Sequence, residues 1–274
     1  ERQVNIVMIM HSTINPINNE SKKIDKLSIC LKRCDRILVH TIDDLNRLKD
    51  HGLIDNVSLF PHGILDFYPS YKQPSLFRRF FKWQNKISIA SYGFCLPNKG
   101  FAELIRSVEF LRNHDIEVEL DLYTALYSKE YEWLYKDLQS LVRALDLERV
   151  VKINPDYLSD IQILQALNKS DLIVFPYQSS NESSSAAVRH ALSSCKPVAV
   201  TPLSIFEDVE AVTHQLPGIT VSNIGNGIIQ LINNYDNILR DCDYVEQWRD
   251  QHYFSKLGPR IFNFITAIEQ NNMI

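Results

Sequence analysis

Short apolar runs alternate with helix-like stretches along this chain. Residues 4–10 form a nearly continuous apolar run, which is typical of a strand buried on both faces. Residues 24–32 are predicted to form a helix, and the apolar run at 36–40 a second strand. Alternation of this kind predicts an α/β fold with a mainly parallel sheet.

The first part of the chain carries only about three predicted strands. Thr41 is expected to cap a helix that ends near Gly52, and a third apolar run at 56–60 is ended by Pro61. Three strands are few for a whole Rossmann-type unit. Residues 1–68 are therefore predicted to be an incomplete N-terminal Rossmann-like domain, as in a trimmed chain or a module of a larger protein.

A second alternating series follows a stretch with prolines and no clear period, which predicts an interdomain linker over 69–86. The predicted strands of this series are 87–92, 118–123, 150–153, 172–175, 198–201 and 219–221. Its predicted helices are 100–112, 128–145, 159–168, 183–193 and 225–233. The pattern predicts a complete doubly wound domain over 87–235, with a helical tail over 236–274.

Composition excludes several classes of protein. The 274 residues are 45% hydrophobic, and the net charge of −4 leaves no global footprint for nucleic acid. The longest apolar runs have strand length, and no signal peptide is visible. The chain has five cysteines, an odd number, and their spacing fits neither a zinc ribbon nor a disulfide framework. This cysteine usage predicts a reducing, cytoplasmic location.

Residues 175–192 are the most informative stretch for function. A single acid, Glu182, stands between a predicted strand and a predicted helix, and three serines follow it. The first N–H groups of a helix are unpaired and the helix dipole is positive there, so this region can hold an anionic or hydroxyl-rich ligand. The alternative is an acid of the capping region without a ligand. A dehydrogenase is disfavoured because the chain has no glycine-rich phosphate loop.

Two segments, 93–100 (Gly-Phe-Cys-Leu-Pro-Asn-Lys-Gly) and 175–201 with its Phe-Pro-Tyr and Lys-Pro-Val sequences, resemble family 4 of the retaining glycosyltransferases. The resemblance covers residues 86–235 well and 4–62 more weakly. It implies the GT-B fold, in which two Rossmann-like domains face a cleft, with tail helices that pack back toward the N-terminal domain. It also implies transfer of a sugar from a nucleotide diphosphate donor to an acceptor hydroxyl with retention, without a metal or other cofactor.

The resemblance assigns roles to four residues. Lys99 matches the lysine that contacts the donor diphosphate, and Glu182 matches the acid that holds the donor sugar. His190 stands where the family has a second acid for the ribose hydroxyls, so a bidentate contact to the diol is lost. His11 matches a histidine near the acceptor and the donor sugar.

The remaining site candidates each carry an alternative. Ser183 and Ser184 could offer backbone N–H groups to phosphate or simply start a helix, and Arg189 could reach phosphate or ribose or form a surface ion pair. Gly93 joins the donor-binding set near the position where the family has an arginine, which is missing here. A structural role is predicted for His62.

The resemblance therefore implies a retaining glycosyltransferase of bacterial-type surface polysaccharide synthesis, hexosyltransferase-like, acting on a glycan or lipid-linked glycan acceptor. Residues 77–83 interleave basic and aromatic side chains, which favours peripheral contact with the inner membrane face or, alternatively, a linker helix. The competing hypothesis is a non-catalytic module of a larger polysaccharide-assembly protein, which binds a partner or glycan.

Overall fold

The computed structural model describes residues 4–15, 19–68, 86–234 and 242–271. It contains two separate parallel sheets, one on each side of the predicted linker. Most of that linker, and the whole basic-aromatic segment 77–83, lie outside the described residues. No helix in the described part of the chain is both long enough and apolar enough to cross a membrane.

The N-terminal sheet has three parallel strands in the order β1-β2-β3. The strands are β1 (Val7–Met10), β2 (Arg36–Val39) and β3 (Val57–Leu59), connected by α1 (Ile24–Leu31) and α2 (Ile42–Asp50). The hydroxyl of Thr41 caps α2 as predicted, because it accepts a hydrogen bond from the backbone N–H of Asp44. Ile37 and Val39 of the central strand are fully buried against Leu48 of α2.

The C-terminal sheet has six parallel strands in the order β6-β5-β4-β7-β8-β9. The strands are β4 (Lys86–Tyr92), β5 (Glu117–Tyr123), β6 (Val151–Asn154), β7 (Leu172–Phe175), β8 (Val198–Val200) and β9 (His214–Gln215). The helices are α3 (Phe101–Arg112), α4 (Glu132–Ala144), α5 (Asp160–Leu167), α6 (Ala186–Ser193) and α7 (Val221–Asn233). This strand order is that of a doubly wound sheet, and the winding reverses between β4 and β7.

Both faces of the C-terminal sheet are buried, as the continuous apolar runs predict. Ile89 of β4 and Val174 of β7 belong to the hydrophobic cluster on one face. Their neighbours Ala90 and Ile173 belong to the cluster on the other face. Alternation of side chains along each strand thus supplies two core layers, which hold the helices on either side.

Several predicted elements are wrong in detail. The strand predicted over residues 4–10 spans only Val7–Met10, and it is not buried on both faces, since Ile9 is 44% exposed at the edge of the N-terminal sheet. Residues 219–221 do not form a strand, because the hydroxyl of Thr220 accepts from the N–H of Asn223 and starts α7 at Val221. The sixth strand is instead His214–Gln215. The helix predicted from residue 183 begins at Ala186, since Ser185 is its capping residue.

The tail forms two helices that contact both halves of the chain. In α8 (Cys242–His252), Trp248 packs against a cluster of the C-terminal sheet. Helix α9 (Phe254–Asn271) contacts the N-terminal part, where the guanidinium of Arg260 lies 5.6 Å from the centre of the Phe60 ring. Between the helices, Tyr253 pairs with Ile64 through a parallel β-bridge.

Candidate functional site

The winding of the C-terminal sheet predicts where a ligand would bind. In open α/β sheets, ligands lie beyond the carboxyl ends of the strands at the point where the strand order reverses, here between β4 and β7. Gly93 and Lys99 follow β4, and Glu182 follows β7. Three of the candidate residues therefore come from the two loops that flank this crevice.

Lys99 and Glu182 meet across the crevice. The Lys99 ammonium lies 3.9 Å from a carboxylate oxygen of Glu182 and 4.0 Å from the centre of the Tyr177 ring. The lysine side chain is 17% exposed and the Glu182 side chain 63% exposed, so the pair is weak and solvent-screened. The aromatic face holds the cation in position while leaving its charge available to an anionic ligand.

A close approach of two loops positions Lys99. Gly100 has a left-handed φ of 76°, and a Cβ at this position would lie 1.7 Å from the carbonyl oxygen of Pro176. The backbone N–H of Gln178 donates to the carbonyl of Asn98 at 2.8 Å. Only glycine permits this contact, which sequence reasoning did not identify. The glycine that stands between Lys99 and the start of a predicted helix was the sequence signal that could have indicated this close approach.

The serines after Glu182 do not form the first turn of α6. Ser185 caps that helix, so Ser183 and Ser184 belong to the preceding loop with Glu182. The hydroxyl of Ser183 donates to the carboxylate of Asp44 at 2.7 Å. Because Asp44 lies in α2, the loop that carries Glu182 is attached directly to the N-terminal part of the chain.

Asp44 is the buried centre of this junction. Its carboxylate accepts hydrogen bonds from Thr13, Thr41 and Ser183, and Arg47 pairs with it at 3.2 Å. Burial alone would raise the pKa of Asp44, but the hydrogen bonds outweigh burial and leave that pKa below its usual value. A fully buried carboxylate with this many donors remains charged.

Three histidines lie together at the carboxyl edge of the N-terminal sheet. His11 follows β1, His40 follows β2 and His62 comes three residues after β3. Their ring centres are 4.7–5.4 Å apart. His11 was a predicted site residue and His62 a predicted structural one, whereas His40 was missed. Parallel strands end at one edge, so a histidine after each of three strands was a usable signal.

The buried His40 and the half-buried His62 are neutral at pH 7. Burial, together with the nearby positive charge of Arg189, lowers the pKa of His62 to about 3. Burial also lowers the pKa of His40, although its hydrogen bond to the carbonyl of Phe60 opposes the shift. Neutral imidazoles can accept hydrogen bonds or coordinate metal ions, which imidazolium cannot do.

Arg189 is buried beneath the site. Its side chain is 4% exposed, forms an ion pair with Asp208 and donates to the carbonyl of Ser185 at 2.9 Å. The predicted alternative of an ion pair is correct, but its predicted place at the surface is wrong. The pair lies in the interior, where α6 packs against the 3-10 helix Ser204–Val212. Direct contact with a phosphate would require this buried pair to open.

His190 gains a carboxylate neighbour that the sequence did not reveal. Its Nδ1 donates to the carbonyl of Ala186, and its Nε2 lies 3.2 Å from the carboxylate of Asp160 at the start of α5. The Asp160 side chain is 60% exposed. The resemblance placed His190 where the family has an acid for the ribose hydroxyls, and the carboxylate of Asp160 now lies beside that position.

Comparison with known proteins supports the architecture. No family model matches the chain, and no curated protein matches it in sequence. Alr3699/HepE from Anabaena, crystallised in complex with UDP, has a TM-score of 0.76 at 14% identity over 96% of this chain and 72% of its own. A glycosyltransferase from Rickettsia africae has a TM-score of 0.71 at 13% identity, over 97% and 71% respectively.

Sucrose-phosphate synthase from Thermosynechococcus elongatus is a third structural neighbour, with a TM-score of 0.73 at 13% identity over 97% of this chain and 68% of its own. All three neighbours are GT-B glycosyltransferases. Likeness at such low identity establishes the fold. The chain has the α/β fold of the GT-B glycosyltransferases, as the sequence predicted.

Proposed function

We propose that this chain is a retaining glycosyltransferase that uses a nucleotide diphosphate sugar as donor. The observation that carries the proposal is the approach of the Lys99 ammonium to the Glu182 carboxylate, 3.9 Å apart, at the switch point of a GT-B fold. A cation for the leaving diphosphate and an acid for the sugar thus stand side by side. The similarity of the fold to HepE, crystallised with UDP, supports the same class of donor.

The donor diphosphate would bind between Lys99 and the start of α3. That helix is twelve residues long, and its unpaired N–H groups and dipole favour an anion. As the glycosidic bond breaks, negative charge grows on the diphosphate, and fixed positive groups stabilise that charge. Glu182 would hold sugar hydroxyls and offset positive charge on the reacting carbon.

The nucleoside would extend along the carboxyl edge toward β6. Asp160 and His190 together supply a carboxylate and an imidazole for the ribose hydroxyls, which supports the predicted ribose role of His190. Beyond them, the exposed rings of Phe94, Tyr127 and Tyr157 offer faces for a base, with Phe94 and Tyr157 stacked at 6.4 Å.

The acceptor would approach from the N-terminal sheet, where His11 is exposed at the end of β1. A glycan or lipid-linked glycan of a surface polysaccharide remains the proposed acceptor, with the protein in the cytoplasm at the inner membrane face. No metal is part of this proposed reaction.

A non-catalytic role has one specific observation in its favour. The family's second cation near Gly93 is missing, and the buried guanidinium of Arg189 is already paired with Asp208. A site with a single phosphate-binding cation could bind a donor or glycan weakly without turnover.

Nucleotide binding is the first test. Calorimetry with UDP and GDP should detect saturable binding, and Lys99→Ala should weaken it about 10- to 100-fold, since a hydrogen bond to a charged group contributes about 1.5–3 kcal/mol. Lys136→Ala is the matched control, because Lys136 is an exposed lysine that pairs with Glu132 on α4. Absence of binding to either nucleotide, or equal effects of the two variants, would contradict the donor site.

A further inference from the structure

The histidine cluster has a geometry that the proposed transfer reaction does not require. One ring nitrogen from each of His11, His40 and His62 lies within 4.8 Å of the other two. Three imidazoles that converge at one sheet edge form a recurrent ligand set for transition metals. Imidazole nitrogens bind such ions well, whereas calcium and magnesium prefer oxygen ligands.

One pair of ligand atoms already has the spacing that a metal needs. The Nε2 of His40 lies 3.2 Å from the Nδ1 of His11. Two nitrogens on a tetrahedral zinc ion at ~2.0–2.1 Å are about 3.3 Å apart. The third ring needs to move inward by no more than the difference between this value and the 4.8 Å limit.

Hydrogen bonds with backbone carbonyls orient two of the rings. The Nδ1 of His40 donates to the carbonyl of Phe60 at 3.0 Å, and the Nδ1 of His62 donates to the carbonyl of Gly63 at 2.9 Å. A carbonyl only accepts, so both Nδ1 atoms carry the proton and both Nε2 atoms keep a lone pair. Metal-bound histidines are held in this manner by an N–H donated to a carbonyl or carboxylate.

His11 requires only a change of tautomer. Because Nε2 of His40 has no proton, the contact at 3.2 Å requires a proton on Nδ1 of His11. Moving that proton to Nε2 of the same ring frees Nδ1 as a ligand without changing the charge of the cluster. Since His11 is exposed, its ring is free to make this adjustment.

We propose that His11, His40 and His62 bind a divalent transition metal ion of the zinc class, with a further coordination position left for water or a ligand oxygen. The ion would join the carboxyl ends of all three strands of the N-terminal sheet. The nearby positive charge of Arg189, which is ion-paired with Asp208, opposes a cation here, whereas the negative charge of Asp44 acts on His40 in the opposite sense. The proposal goes beyond the proposed transferase function and against the expectation that no metal is bound.

Metal titration of the full chain tests the site. After treatment with a chelator and dialysis, ZnCl₂ should bind with one-to-one stoichiometry by calorimetry, and CoCl₂ should give the strong visible absorption of a tetrahedral site rather than the weak absorption of an octahedral one. His11→Ala and His62→Gln should each weaken zinc binding at least ~100-fold, because losing a ligand exceeds the effect of losing an outer-shell partner.

His114→Asn is the matched control. This histidine is exposed after α3, its Nδ1 donates to the carbonyl of Phe110, and it lies outside the cluster. Metal-free thermal melts should show His11→Ala folded like the wild type. Absence of saturable zinc binding, or binding that survives in both cluster variants, overturns the proposal. The readout uses no nucleotide, so its failure is distinct from failure of the proposed transferase function.

Discussion

At the scale of single residues, the site depends on side chains whose charges are left incompletely paired. Glu182 is exposed, and its only described ionic partner is Lys99 at 3.9 Å. An acid in this state retains both oxygens for a ligand, whereas Asp44, with its several hydrogen-bond donors, is committed to structure. The difference separates the candidate ligand-binding carboxylate of Glu182 from a structural one.

Glu182→Gln should therefore lower the rate of sugar transfer by at least ~10²-fold, because the neutral amide no longer stabilises positive charge in the transition state. UDP binding should change little, since the proposed contact is to the sugar. Glu130→Gln, at an exposed glutamate of the 3-10 helix Lys129–Tyr131, is the control for loss of one acid. Transfer by Glu182→Gln at the wild-type rate would remove Glu182 from the mechanism.

The ionisation of His62 should make the stability of the protein depend on pH. Its folded-state pKa is about 3, against an ordinary value of 6.5, because burial and Arg189 oppose the charged ring. Between these values the unfolded chain binds a proton that the folded chain does not. The free energy of unfolding should therefore rise with pH from about 3 to 6.5.

Urea unfolding of the metal-free protein at several pH values measures this slope. His62→Asn should flatten it across that window, while His114→Asn, at an exposed histidine, should leave it as in the wild type. A slope unchanged by His62→Asn would mean that His62 is not the titrating group.

At the scale of elements, the start of α3 against the end of β7 decides the shape of the crevice. Gly100 lets the loop that carries Lys99 touch the carbonyl of Pro176, and the Gln178 side chain donates to the carbonyl of Ile219 before α7. The loops after β4, after β7 and before α7 are thereby held together at the contact between Gly100 and Pro176. None of these contacts follows from the propensity of an individual element.

Gly100→Ala should lower the free energy of unfolding by ~3 kcal/mol or more, because a left-handed φ costs about 1–2 kcal/mol and the clash with backbone adds a similar amount. Gly52→Ala is the matched control. Its φ of 77° is almost identical, but the nearest atom to its Cβ is the mobile Lys32 ammonium at 3.7 Å. Equal losses for both variants, measured by urea unfolding, would show that the contact with Pro176 is unimportant.

At the scale of the whole molecule, a few polar contacts connect the two sheets. Ser183 reaches Asp44, and the N–H of Leu65 donates to the hydroxyl of Ser193 at 3.1 Å. The tail adds a third connection, since Ser255 donates to the carboxylate of Asp66. Polar junctions of this kind fix the loop of Glu182 relative to the histidine cluster.

Ser183→Ala should lower the free energy of unfolding by about 1–2 kcal/mol, since Asp44 loses one donor but keeps the others. Ser184→Ala, at the neighbouring half-buried serine, should have a smaller effect because the structure describes no hydrogen bond from its hydroxyl. Chemical unfolding monitored by circular dichroism compares the two. A loss as large in Ser184→Ala would contradict a specific junction at Ser183.

Local patterns along the chain were sufficient to predict the α/β class, most strands, the cap at Thr41 and the positions of Lys99 and Glu182, because these depend on neighbouring residues. They failed at residues 219–221, where three residues before a capped helix were too short to separate strand from helix. They also failed to pair Asp160 with His190, or Ser183 with Asp44.

Only the tertiary structure decided those pairs. Ser183 and Asp44 are 139 positions apart, and the register and order of the parallel strands brought them together. The three histidines show the same distinction. Each is an ordinary residue after an apolar run, and only the alignment of three strand ends at one edge makes them a cluster.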